Sequence, residues 1–78
     1  MTYAERESIF SKESLSINDI SLLLGIGYDA SAKLVRDIKR ALQFKGTLRL
    51  DIQGKIHAED YFEYFNITDK QRYVRDKN

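Results

Sequence analysis

The segment Leu15-Ser-Ile-Asn-Asp-Ile-Ser-Leu-Leu-Leu-Gly-Ile-Gly-Tyr-Asp-Ala-Ser-Ala-Lys-Leu-Val-Arg-Asp-Ile-Lys-Arg-Ala-Leu42 decides how the rest of the chain is read. Ser16 has the chemistry of an N-cap, and Asp19 falls at the third helical position, where a carboxylate complements the helix dipole. Ile17, Ile20, Leu23 and Leu24 then follow helical spacing. Gly25 ends this short helix because glycine tolerates positive φ. Gly25-Ile26-Gly27 is the turn, with Ile26 as an apolar plug between two helices. The second helix opens at Tyr28 or Asp29, of which Asp29 is the better cap. No proline interrupts it before Lys45, and Gly46 ends it. At about 100° per residue, Leu34, Val35, Ile38, Ala41 and Leu42 fall in one sector. Lys33, Arg36, Lys39, Arg40 and Gln43 occupy the opposite side. A short apolar helix, a glycine turn and a long helix with one cationic face form the layout of a helix-turn-helix.

Working outward, Thr2-Tyr-Ala-Glu5 has capping-box spacing and predicts a helix from Tyr3, with Tyr3, Ile9 and Phe10 able to share one side. Ser11-Lys-Glu-Ser14 has no periodicity and reads as a linker. Beyond Gly46 the period changes to two. Leu48, Leu50 and Ile52 alternate with Arg49, Asp51 and Gln53, a strand signal that Gly54 breaks. A two-residue loop at Gln53-Gly54 pairs Asp51 with Ile56 and is unfavourable. A three-residue loop with Gly54 left-handed pairs Leu50 with Ile56 and Asp51 with Lys55, and places Arg49 opposite His57. The second register puts Leu48, Leu50, Ile56 and Ala58 on one inner face, and a hairpin in that place is a wing. Ala58, Tyr61, Phe62 and Phe65 predict a further helix, with Glu59 and Asp60 in its first turn and Asn66 as its stop. Thr68-Asp-Lys-Gln71 has the spacing to start a last short helix, after which Arg72 to Asn78 is expected to fray. The expected fold is mostly α with a small β-hairpin, a winged helix-turn-helix over residues 15–66. An N-terminal helix and linker (1–14) and a C-terminal tail (67–78) flank it.

A chain of 78 residues allows one domain and only a small core. With no cysteine and a single histidine, His57, neither a disulfide nor a Cys or His metal cluster is expected. No run approaches the roughly 20 apolar residues of a membrane span, and the polar N-terminus shows no signal peptide, so a soluble cytoplasmic protein is the expectation. The net charge of +1 hides a division. Residues 1–29 carry two basic and five acidic side chains, residues 30–57 seven and two, and residues 58–78 four and five. A basic middle between acidic ends is the distribution of a small nucleic-acid binder with one positive face; its plainer counterpart is a solvated helix face. No nucleophile has an evident base partner, so no enzyme and no cofactor are expected. Glu59 and Glu63 share a helix side, a spacing equally expected of a solvated surface.

Ser16-Ile-Asn-Asp-Ile-Ser-Leu-Leu-Leu-Gly-Ile26, the basic helix, and Gly54-Lys-Ile-His-Ala-Glu-Asp-Tyr-Phe62 with Phe65 resemble the excisionase-like, MerR-related winged helix-turn-helix domains. More narrowly, the chain is similar to small helix-turn-helix proteins of Gram-positive phages and integrative elements. The resemblance covers about residues 15–66. It departs from the family in a longer basic helix and a wing bearing only Arg49 and Lys55.

The expected function is sequence-selective binding of double-stranded DNA. Tyr28, Ser31, Lys33 and Arg36 would face the groove, with Lys33 and Arg36 able to donate to guanine O6 and N7 and with Ser31 and Tyr28 donating to phosphate or a base edge. Lys39, Arg40, Arg49 and Lys55 would chiefly neutralise phosphates. The resemblance implies an excisionase that bends DNA beside an integrase, or a transcriptional regulator of a phage or mobile element. A module this small needs several copies on adjacent sites, so cooperative self-association on DNA is also expected. Two other readings stand beside this one. Leu24-Gly-Ile-Gly27 is similar to a helix-hairpin-helix, which grips phosphates without sequence preference, although Ser31 stands where that family has alanine. The chain also reads as a small protein-interaction module, a phage adaptor or antirepressor, with Tyr61, Tyr64 and Tyr73 as its contact surface.

Overall fold

A computed structural model describes residues 2–76. The elements run α1 (Tyr3–Phe10), β1 (Ser14–Ser16), α2 (Ile17–Leu24), α3 (Tyr28–Lys45), β2 (Lys55–His57), α4 (Ala58–Tyr64) and α5 (Lys70–Asp76). Mostly helical structure with a small antiparallel sheet agrees with the composition of elements expected from the sequence.

Local chemistry accounts for most of the boundaries. Thr2 and Glu5 form the expected capping box before α1. Ser16 and Asp19 form a second one before α2, so Asp19 caps reciprocally as well as facing the helix dipole. Gly25, at φ 66°, closes α2 in the left-handed region. Ser21 then stitches the turn, its hydroxyl donating to the Ile26 carbonyl while its own carbonyl accepts from the Gly25 and Ile26 amides. Contrary to expectation, α3 is capped by Gly27 with no side-chain hydrogen bond, and Asp29 lies inside its first turn.

The core is Ile9, Leu15, Ile20, Leu23, Val35, Ile38, Leu42, Ile56, Ala58, Tyr61 and Phe62. α3 contributes its expected face except that Leu34 and Ala41 sit only half-buried at the edge. An aromatic cluster joins α1, α4 and α5 through Phe10, Tyr61, Phe62 and Tyr73, with ring centroids 5.2–6.2 Å apart.

The sheet departs from the expected hairpin. β2 pairs antiparallel with β1, placing Ser14 against His57, Leu15 against Ile56 and Ser16 against Lys55. Ser14, read as linker, is therefore strand. Leu15 and Ile56 are both fully buried, and their burial selects this pairing over Leu50 with Ile56. Residues 47–51 form no strand. A bridge between Ile52 and Lys55 marks a tight turn through Gln53 and Gly54, which is the two-residue loop and not the three-residue one. Gly54 is left-handed, as either loop requires, at φ 77°.

The C-terminal segment is also more ordered than expected. Asp69, one residue later than anticipated, accepts from the Arg72 amide and starts α5, which continues to Asp76. The remainder of the expected frayed segment, residues 77–78, lies outside the described residues. α5 packs on α1 through Arg6, a buried arginine at 2% exposure. Its Nε donates to the Val74 carbonyl at 3.1 Å and an Nη to the Tyr73 carbonyl at 3.0 Å, and the guanidinium lies 4.8 Å from the Tyr73 ring centre.

Candidate nucleic-acid interface

The basic face is built on α3, 18 residues long and so about 27 Å from end to end at ~1.5 Å per residue. Ser31, Val35, Ile38 and Leu42 bury one side of it against the core. The opposite side holds Lys33, Arg36 and Arg40, all exposed. The Lys33 side chain is 75% exposed, and its ammonium stands 3.9 Å from Asp37 one turn on, an exposed ion pair of small energetic value. Among the described residues, Arg36 and Arg40 have no hydrogen-bond or ion-pair partner. Tyr28, 57% exposed, stands at the N-terminal end of the same helix. Four of the residues picked from the sequence are therefore presented along one helix.

The other four are placed differently. Ser31 is fully buried and its hydroxyl donates to the Gly27 carbonyl at 2.8 Å, one turn back. It braces the start of α3 and cannot reach a base edge or a phosphate. Lys39 is half-buried and its ammonium donates to the Ile52 carbonyl, which ties the 46–54 loop to α3. Arg49 places one nitrogen 2.8 Å from Asp60 and 2.8 Å from Glu63. Its backbone amide donates to Asp60 as well, at 3.2 Å. Asp60 is fully buried, so Arg49 is its counter-ion and its charge is committed within the fold. Thr47 donates to Glu63 at 2.7 Å, and the Thr47 hydroxyl, with Arg49, holds the Glu63 carboxyl below its ordinary range. Lys55 is exposed on β2, away from the stripe in sequence, and its ammonium has no partner among the described residues.

Two features of the region, Phe44 and Asp60, escaped residue-type reasoning, and His57 fills the hydrogen-bonding role its place at a strand end suggests. Phe44 is 93% exposed, one turn beyond Arg40 on the cationic side. Its helical position carries that signal, since it falls outside the apolar sector. His57 caps α4, its Nδ1 accepting from the Glu59 amide at 3.0 Å. Asp60 is the internal partner of Arg49, which only a tertiary contact reveals. Tyr61 and Tyr73, considered as a contact surface, instead join hydroxyl to hydroxyl at 2.6 Å. Burial and that bond push the Tyr61 phenol well above its usual range. Of that trio, Tyr64 is the exposed one, at 39%.

Among the described residues no cluster of His, Cys, Asp or Glu is arranged to hold a metal ion, and no helix is long and apolar enough to cross a membrane. Comparison with protein-family models, with curated proteins and with solved structures gives no match.

Proposed function

We propose that the chain binds double-stranded DNA through the exposed face of α3. The observation that carries this reading is the alignment of Lys33, Arg36 and Arg40 on solvent, with Arg36 and Arg40 unpaired among the described residues and the helix anchored by its opposite face. Leaving guanidinium groups unpaired along a rigid helix suits phosphate neutralisation and bidentate contact to guanine. α2, the Ser21-pinned turn and α3 supply the two helices of a helix-turn-helix. The resemblance to excisionase-like winged helix-turn-helix proteins is retained as part of the proposal, with roles in recombination control beside an integrase or in transcription.

The wing in this reading is the Ile52–Lys55 turn, held down by Lys39 and Arg49. Those two cations are occupied, so base and phosphate contacts rest on Tyr28, Lys33, Arg36, Arg40 and Lys55. Selection from a pool of random duplexes tests the reading. Enrichment of one motif is expected, and Arg36→Ala should relax the preference at one position at about 1–3 kcal/mol of discrimination. Recovery of a pool with unchanged base composition, while affinity persists, would point to phosphate gripping by the Gly25–Gly27 turn instead.

A further inference from the structure

Phe44 is an exposed apolar knob among cations, and a groove elsewhere on the molecule has an apolar lining with acidic side chains. An isolated apolar side chain at a surface is ordinary; a phenylalanine left 93% bare on a helix face otherwise given to cations is a protruding knob. Arg40 precedes it by one turn and Lys45 follows it. The groove, of about 450 Å³, opens between α1, α5 and the start of α4. Tyr3, Phe10, Phe62 and Val74 line it, and Glu7 and Glu13 stand at it. Lys12 and Lys70 also border it, but Asp19 and Glu59 neutralise them. The charges left over are Glu7, which accepts from the Tyr3 hydroxyl, and Glu13, 3.7 Å from His57 Nε2 in the same lining, against Arg75. The groove has room for one aromatic ring, an apolar lining and an acidic excess.

We propose that the chain associates head to tail, the Phe44 ring of one copy seating in the α1–α4–α5 groove of the next. Arg40 and Lys45 then approach Glu7 and Glu13. Knob and groove belong to different surfaces, so the contact is heterologous and propagates until a ring closes or the chain of copies ends. A buried aromatic flanked by arginine is the usual composition of an interface hot spot. The inference needs no DNA, but Arg40 is common to both proposed contacts, so DNA and a second copy compete for it.

Sedimentation equilibrium of the whole chain without DNA, over a micromolar to millimolar series, tests it. The wild type should show association beyond a dimer that weakens with salt. Phe44→Asp, a change at an exposed position, should weaken self-association about tenfold or more, as should Glu7→Lys combined with Glu13→Lys. Circular dichroism confirms that each variant is folded. Mixing the two variants is decisive, because one retains a groove and the other a knob: a one-to-one heterodimer is expected. A wild type that stays monomeric throughout would overturn the proposal. So would a Phe44-to-Phe44 contact, in which the double lysine variant associates normally and mixing rescues nothing. Binding of Phe44 to another protein with no self-association would overturn it as well.

Discussion

Asp19 shows how much one side chain settles in a chain this small. Its carboxylate accepts from the Lys12 ammonium at 2.7 Å and from the Ser16 amide at 2.9 Å while being 7% exposed. Burial works against its ionisation, but Lys12 and Ser16 outweigh burial and hold the carboxyl below its ordinary value. The folded state therefore binds this proton less readily than the unfolded chain. The resulting stabilisation is fully present above the ordinary aspartate value of 3.8 and disappears as pH falls through the lower folded value. Asp19→Asn should lower the thermal midpoint at neutral pH, and its deficit against the wild type should close on acidification below about pH 4. A deficit that keeps its size down to the acid limit would show that the charge is not the source. Serine and aspartate at this spacing were readable as a cap; Lys12 was not, because its reach back to the cap depends on the bend between α1 and β1. Ser31 misleads in the same way, and nothing local marks Arg6 as buried. Residue type assigns an arginine to solvent and a serine on a basic helix to a ligand, whereas backbone carbonyls at Tyr73, Val74 and Gly27 claim them both.

At the scale of elements, helices were legible and strand pairing was not. Helical periodicity, caps and glycine stops are local, and the start of α1, both ends of α2 and the end of α3 follow from them. Pairing is a competition between distant segments. Leu48 and Leu50 alternate correctly, yet both finish half-buried, while Leu15 buries completely against Ile56. The 46–54 segment is then secured by polar ties from Lys39, Arg49 and Thr47 instead of by a ladder. This ordering predicts unequal costs. Leu15→Ala should destabilise by about 2–5 kcal/mol, as expected for a truncated core leucine, and Leu50→Ala by clearly less. Urea unfolding of the two variants measures the difference. Equal losses would place Leu50 in the core and restore the hairpin between residues 48–52 and β2.

Over the whole molecule, the charge division seen in the sequence overstates the working surface. Residues 30–57 carry seven basic side chains, but Lys39 and Arg49 are spent on holding a loop. Of the five that remain, Lys45 lies in the last turn of α3 off the stripe, and what is presented to a polyanion is the stripe of Lys33, Arg36 and Arg40, with Tyr28 at its head and Lys55 on β2. The stripe's existence was legible from the helical period, and its membership was not, since membership depends on which cations find internal acceptors. Counterion release converts membership into a number. Phosphate contacts by Lys33, Arg40 and Lys55, with Arg36 given to a base edge, correspond to a slope of about −2.7 in log K against log salt, at ~0.9 per contact. The most direct measurement is the salt dependence of duplex binding by fluorescence anisotropy for the wild type, Arg40→Ala and Arg49→Ala. A wild-type slope of about −2.7 or steeper is expected, made shallower by about 0.9 in Arg40→Ala and unchanged in folded Arg49→Ala. No binding at low salt, or a slope that ignores Arg40, would contradict the assignment of α3 as the surface that meets DNA.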